Sequence, residues 1–130
     1  MTWAAVYVVL LVSHIAGDFI FQTEWQALNK RGGLGRSREA RRALRNHALT
    51  YTIAFIPGYV WIASERGDAL ALLLALLVTV PHVIVDDGRM LRGWMRTVKH
   101  VEDPAPGLVI MVDQSFHLVM LLPVALLAVI

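Results

Sequence analysis

Seven side chains in this sequence have the types and spacing to do chemistry together: His14, Asp18, His47, His82, Asp86, Asp113 and His117. Six of them form three pairs four residues apart, in "HIAGD", "HVIVD" and "DQSFH". On a helix that spacing sets both members of a pair on one face, about 40° apart. Imidazole and carboxylate together suit Zn, Fe, Mn or Co, and a carboxylate can bridge two ions. Three aspartates and a shared hydroxide carry four negative charges, which two divalent ions neutralise. Charge and spacing therefore predict a dinuclear centre, similar in donor types to the carboxylate–histidine sites inside di-iron helix bundles.

The elements that must carry these residues are apolar. Hydrophobic residues make up 57% of the 130-residue chain. They come in blocks at about 2–21, 47–64, 69–85 and 108–130. Each block is near the ~20 residues that cross a ~30 Å hydrocarbon layer as a helix. The expected fold is all-α: an integral membrane four-helix bundle, one domain over residues 1–130. The connection 23–46 carries seven lysines and arginines and the connection 87–107 carries four, against one arginine in "ERGD" at 65–68. Short basic connections stay cytoplasmic, so both termini are expected on the extracytoplasmic side of a bacterial cytoplasmic (inner) membrane. The first block lacks the basic flank and cleavage site of a signal peptide and is expected to be retained.

Direction sharpens the site. Spans one and three run inward and read His-x-x-x-Asp, whereas span four runs outward and reads Asp-x-x-x-His. In all three the aspartate lies nearer the cytosol and the histidine about 6 Å deeper. His47 opens span two on the same side. Ionisable groups inside membrane helices are costly and are usually functional. Small residues share the faces of these groups: Ala40, Ala43, Thr50, Ala54 and Gly58 with His47, and Ala71, Ala75 and Thr79 with His82. They allow close helix approach. Trp3, Tyr7, Gly17 and Phe21 are expected on the His14 side.

Further polar residues fall around this set. Gln22 and Gln114 are expected to support ligands or substrate. The helical wheel puts Arg89 on the His82 face, where it would meet an anionic substrate, and puts Asp87 off the site. His100 is expected to be solvated. Arg38, Arg41, Arg42 and Arg45 form a stripe roughly opposite His47, suited to anionic lipid headgroups. "RGG" is expected to cap a first helix that outruns the membrane, and Ser37 to cap the second. Pro57–Gly58 predicts a kink. Residues 89–99 fit an amphipathic helix, on the membrane surface or continuing span three. There is no cysteine, so neither disulfide nor thiolate metal site is expected. No nucleic-acid motif is present.

"HIAGDFIFQTEWQALNK", "RNHALTYT", "PHVIVDDGR" and "DQSFHLVMLLP" together resemble the bacterial membrane family of domain of unknown function 3307. More loosely, the chain is similar to small membrane proteins that act as metal-dependent hydrolases. The family resemblance implies a four-helix integral membrane protein and supplies no substrate.

Three functions compete. The first is a membrane-embedded metallohydrolase acting on a lipid or other amphiphile, with Asp113 as general base; a di-iron redox enzyme would use the same ligand types. The second is a structural metal site in a small membrane anchor. The third is a metal or proton transporter, disfavoured because the outer halves of the spans lack a polar route. Expected partners are the bilayer, an amphiphilic substrate, and a second copy of the chain or another membrane protein.

Overall fold

The computed structural model describes residues 1–130, and every regular element in it is helical. Helix α1 spans Trp3–Ile15 and passes directly into a π-helical turn, Ala16–Ile20. A short α2 follows at Glu24–Asn29. The long α3 spans Arg38–Arg66, and α4 spans Asp68–Asp86 after a turn at Gly67. Helix α5, Arg89–Thr97, and α6, Pro106–Leu127, complete the chain. The segments Trp3–Ile20, Asp68–Asp86 and Pro106–Leu127 are long and apolar enough to cross a membrane. Helix α3 is longer than any of them but less apolar: its first turns carry four arginines, and its interior carries His47, Thr50, Thr52 and two tyrosines.

Four long segments pack around an apolar core of Val6, Leu10, Phe55, Ile62, Leu74, Val78, Leu121 and Val124, all buried. The outside of the bundle is apolar as well. Val8, Val12, Phe19, Ile53, Leu72, Leu76, Met111 and Val119 are each at least half exposed. A helix apolar on its outer faces belongs in lipid, where exposed aliphatic side chains carry no hydration cost.

Several expectations are corrected here. The first helix does not continue to "RGG". Its last turn is π-helical, with Phe21 N–H donating to Ala16 C=O over 2.9 Å. The chain then breaks, and Thr23 starts α2 with a capping box: its hydroxyl accepts from Gln26 N–H while the Gln26 side chain accepts from Thr23 N–H. The π turn inserts one extra residue and rotates the residues after it by roughly 100°. Phe21 is therefore 52% exposed instead of facing His14, and Trp3, at the far end, is 47% exposed. Ser37 does cap α3, accepting from Ala40 N–H at 3.3 Å. Helix α3 runs unbroken through Pro57. Gly88, with φ of +77°, ends α4 and makes α5 a separate helix.

Gly17, in the π turn, packs against Tyr51 of α3. A Cβ there would stand 2.8 Å from Tyr51 Cδ2 and 3.3 Å from Tyr51 Cα. Gly17→Ala should lower stability by about 1–3 kcal/mol, the usual cost of overpacking. Thermal unfolding in detergent, followed by helix signal, checks this. A midpoint equal to wild type would show that the contact is slack.

Candidate metal centre

The structure brings four of the seven candidate residues to one point. Nε2 of His47 lies 3.1 Å from Asp18 Oδ1 and 3.0 Å from Asp86 Oδ2. Nε2 of His82 lies 3.0 Å from Asp86 Oδ2 and 3.7 Å from Asp18 Oδ1. The two imidazole nitrogens are 3.1 Å apart, and the four donor atoms all lie within 4.8 Å of one another. All four residues are buried. They come from the π turn, α3 and α4, so three separate segments must pack for the group to exist.

His14, Asp113 and His117 form an adjoining layer rather than joining these four. Gln114 links it to the cluster. Its Oε1 accepts from His14 Nε2–H at 2.9 Å, and its amide nitrogen donates to Asp18 Oδ2 at 3.2 Å and to Asp113 Oδ2 at 3.4 Å. This fixes the His14 tautomer: with Nε2 protonated, Nδ1 accepts from the Tyr51 hydroxyl at 3.0 Å. His117 takes the opposite tautomer. Its Nδ1–H donates to the Asp113 carbonyl at 2.9 Å, which leaves the Nε2 lone pair free, buried and without a hydrogen-bond partner. That lone pair faces Asp86 Oδ1, also unpartnered, across 3.8 Å.

Two residues outside the seven candidates belong to the site. Lys30 is 9% exposed, and its Nζ lies 2.9 Å from Asp86 Oδ2. It arrives from the turn after α2, where helical periodicity says nothing about direction. Tyr51 stacks on His82 with centroids 3.4 Å apart and 10° between planes. A signal for Tyr51 does exist: it stands four residues after His47, the same spacing that pairs His14 with Asp18.

The remaining candidates lie elsewhere. Gln22 folds back so that its amide donates to Asp18 C=O at 3.1 Å, and its Oε1 is buried without a partner. Arg89 does not face His82, because Gly88 turns the chain first; its guanidinium pairs with Asp87 and stays largely exposed. Asp87 is off the site, as expected, yet 2% exposed. It pins the strap of residues 32–35: Leu34 N–H donates to Asp87 Oδ1 at 2.8 Å, and Gly32 N–H to Asp87 C=O at 2.9 Å. Burial pushes the Asp87 carboxyl up, but the Arg89 guanidinium and the Leu34 amide hold it below its ordinary range. His100 is exposed.

The donor set fits a divalent ion. Imidazole and carboxylate are its usual ligands, and ligand atoms about 2.0–2.2 Å from one ion stand roughly 3–4 Å apart. Carboxylate oxygens and imidazole nitrogens packed this closely repel one another unless a cation or protons lie between them. Asp18 Oδ1, the carboxylate oxygen facing both imidazole nitrogens, is buried without a hydrogen-bond partner, which leaves its lone pair for a cation.

A family model described as "Protein of unknown function (DUF3307)" matches residues 6–130, and the chain belongs to that family. No curated protein matches the chain, and no solved structure does.

Lys30 makes a separable prediction. Its cation supports Asp86 when no metal is bound and repels a metal that is. Lys30→Met should destabilise the metal-free protein by about 3 kcal/mol, the cost of stripping a buried carboxylate of its partner. The same change should tighten divalent-ion binding. Unfolding midpoints with chelator, set beside zinc titration, test both signs. Weaker zinc binding in the variant would show that Lys30 supports the loaded site instead.

Proposed function

We propose that this chain is a membrane-embedded, metal-dependent hydrolase that acts on a lipid or other amphiphile from the cytoplasmic side. The observation that carries the reading is the buried cluster of Asp18, His47, His82 and Asp86, bordered by more polar groups than an inert ion needs. A purely structural site is closed, and polar groups beside it left unpartnered are a net cost. Here His117 Nε2 and Asp86 Oδ1 are buried and unpartnered beside the four donors.

In this reading the four donors hold the ion, and the ion supplies Lewis acidity, lowering the pKa of water and polarising a scissile bond. Asp113 is the most exposed of the three carboxylates, its side chain 15% accessible against 2% for Asp18 and 0% for Asp86. It is the one placed to take a proton from an attacking water. Gln114 orients it through the contact to Oδ2, and His117 Nε2 is free to receive a proton. Tyr51, stacked beneath His82, closes the site against the apolar half of the bundle.

Lys30 bears on the number of ions. Within the four-donor group Asp18, Asp86 and the neighbouring Lys30 sum to one negative charge, which a single divalent ion already outweighs. We therefore favour one ion in the four-donor group. A second ion is favoured by a specific feature, the unpartnered Asp86 Oδ1 and His117 Nε2 facing each other across 3.8 Å, which would hold it. Metal counting in wild type and His117→Ala separates the two: one ion in both, or two falling to one.

The topology is part of the proposal. Helix α3 is taken as a fourth crossing, with both termini outside and the basic connections in the cytosol of a bacterial cell. The structural-metal alternative draws support from the completeness of the four-donor set. Transport draws none, since the outer core is a continuous layer of Val6, Leu10, Phe55, Leu74, Leu121 and Val124.

Elemental analysis of detergent-purified protein should find a divalent metal that Asp18→Ala/Asp86→Ala loses. Absence of any bound ion in wild type defeats the proposal. Asp113→Asn should keep the metal yet lower hydrolysis of phospholipids and acyl esters in mixed micelles about 10²–10⁴-fold. Unchanged turnover in Asp113→Asn would remove it as the base. If metal removal shifts only the unfolding midpoint, the site is structural.

A further inference from the structure

The stripe of arginines on α3 forms one wall of a groove of about 750 Å³. Arg38, Arg41, Arg42 and Arg45 stand along it, all exposed. The opposite wall is the strap of Gly33, Leu34 and Gly35. The strap lies directly on α3: a Cβ on Gly33 would stand 2.5 Å from Leu44 Cβ and 2.7 Å from Ala40 C=O. Asp87 holds it from the other side through Gly32 and Leu34. The wall is therefore fixed by packing and hydrogen bonds and is not a loose loop.

No carboxylate lines this groove. None of the four arginines forms an ion pair with an acidic side chain; the arginine ion pairs in the structure are Arg89–Asp87 and Arg96–Glu102. Glu39, the one acid in the first turns of α3, lines a neighbouring cleft that Arg38 and Arg42 also border, but it pairs with neither. Arg41 donates to the Arg36 carbonyl at 3.2 Å, and Arg42 stacks over Trp25. Both contacts position a guanidinium without neutralising it. Four clustered cations with no internal counterion call for an external anion.

The floor shows what kind of anion. Leu44, Ala48 and Val83 form it. Ala48 follows His47 and Val83 follows His82, so the floor descends to the depth of the metal donors on the outer side of the α3–α4 pair. Further along the two helices, away from the arginines, Leu49 and Val80 are exposed apolar residues. A charged rim over an apolar floor that continues into lipid-facing side chains has the polarity profile of a phospholipid: phosphate above, acyl chain below.

From this geometry we infer that the groove is a binding site for an anionic phospholipid, with the arginines on its headgroup and Leu44, Ala48 and Val83 along its acyl chain. The site is separate from the metal cluster and does not depend on it. Native mass spectrometry of the detergent-purified full chain, offered phosphatidylglycerol or phosphatidylcholine, tests it. Wild type should retain phosphatidylglycerol about tenfold better, and Arg38→Gln/Arg45→Gln should abolish that preference. Arg92→Gln/Arg96→Gln, which removes equal charge from α5, should keep it. Ala48→Phe should lower retention of phosphatidylglycerol without altering charge, and it decides the matter should the double arginine variant lose its fold, read from helix signal. Equal retention of both lipids by wild type, or an equal loss in the α5 variant, overturns the inference. So does displacement of bound lipid by inorganic phosphate alone, which would make the groove a site for a free anion.

Discussion

The constraint on which the whole structure depends is the burial of carboxylates in an apolar bundle. Asp18 and Asp86 lie among helices whose other faces are aliphatic, and each would be costly there alone. Every other choice near them reads as compensation. His47 and His82 bring nitrogen ligands, Lys30 brings a cation from outside the spans, and Gln114 ties the second layer to the first. Small residues on the inner faces of α3 and α4 let the segments come close enough for these contacts. Breaking a buried pair leaves an uncompensated charge, which is why such a cluster is all-or-none. A divalent ion is the remaining compensation that the donor geometry accommodates.

The compensation also explains the division of the bundle into two halves. On one side lie the ionisable groups, the capped short helix α2 and the strap that Asp87 holds. On the other lies a core of valines, leucines and Phe55, with few polar groups. Tyr51 sits at the boundary, the face of its ring on His82 and its hydroxyl on His14. It belongs to both halves: apolar area for the core and a hydrogen bond for the layer above it.

Much of this was legible in the sequence, for a definite reason. Helical periodicity is rigid, so His14–Asp18, His82–Asp86 and Asp113–His117 had to share faces. What the wheel could not give was the division between the four donors that meet and the three residues beside them. That division depends on helix offsets of an ångström or two, which are set by packing. Arg89 departs from the face that helical spacing assigns it because the positive φ of Gly88 ends the helix first. Phe21 departs from its regular-helix face because the π turn precedes it. Lys30 was out of reach, since the direction of a side chain in a turn carries no period. Periodicity sets Arg38, Arg41, Arg42 and Arg45 in a stripe away from His47, but the strap that turns the stripe into a groove is a tertiary feature.

The π turn at Ala16–Ile20 has a consequence for how one helix can serve two masters. Before it, α1 keeps step with its neighbours in the core. After it, the register has slipped by one residue. Within this short stretch Asp18 is held inward, while Phe19, Ile20 and Phe21 all point out and are each more than half exposed. A regular helix would spread those demands over two turns and would carry Phe21 back over the site. A single surplus residue thus acts as a vernier between two scales. It lets the chain hand a carboxylate to the bundle and three apolar side chains to its outer surface, without lengthening the helix.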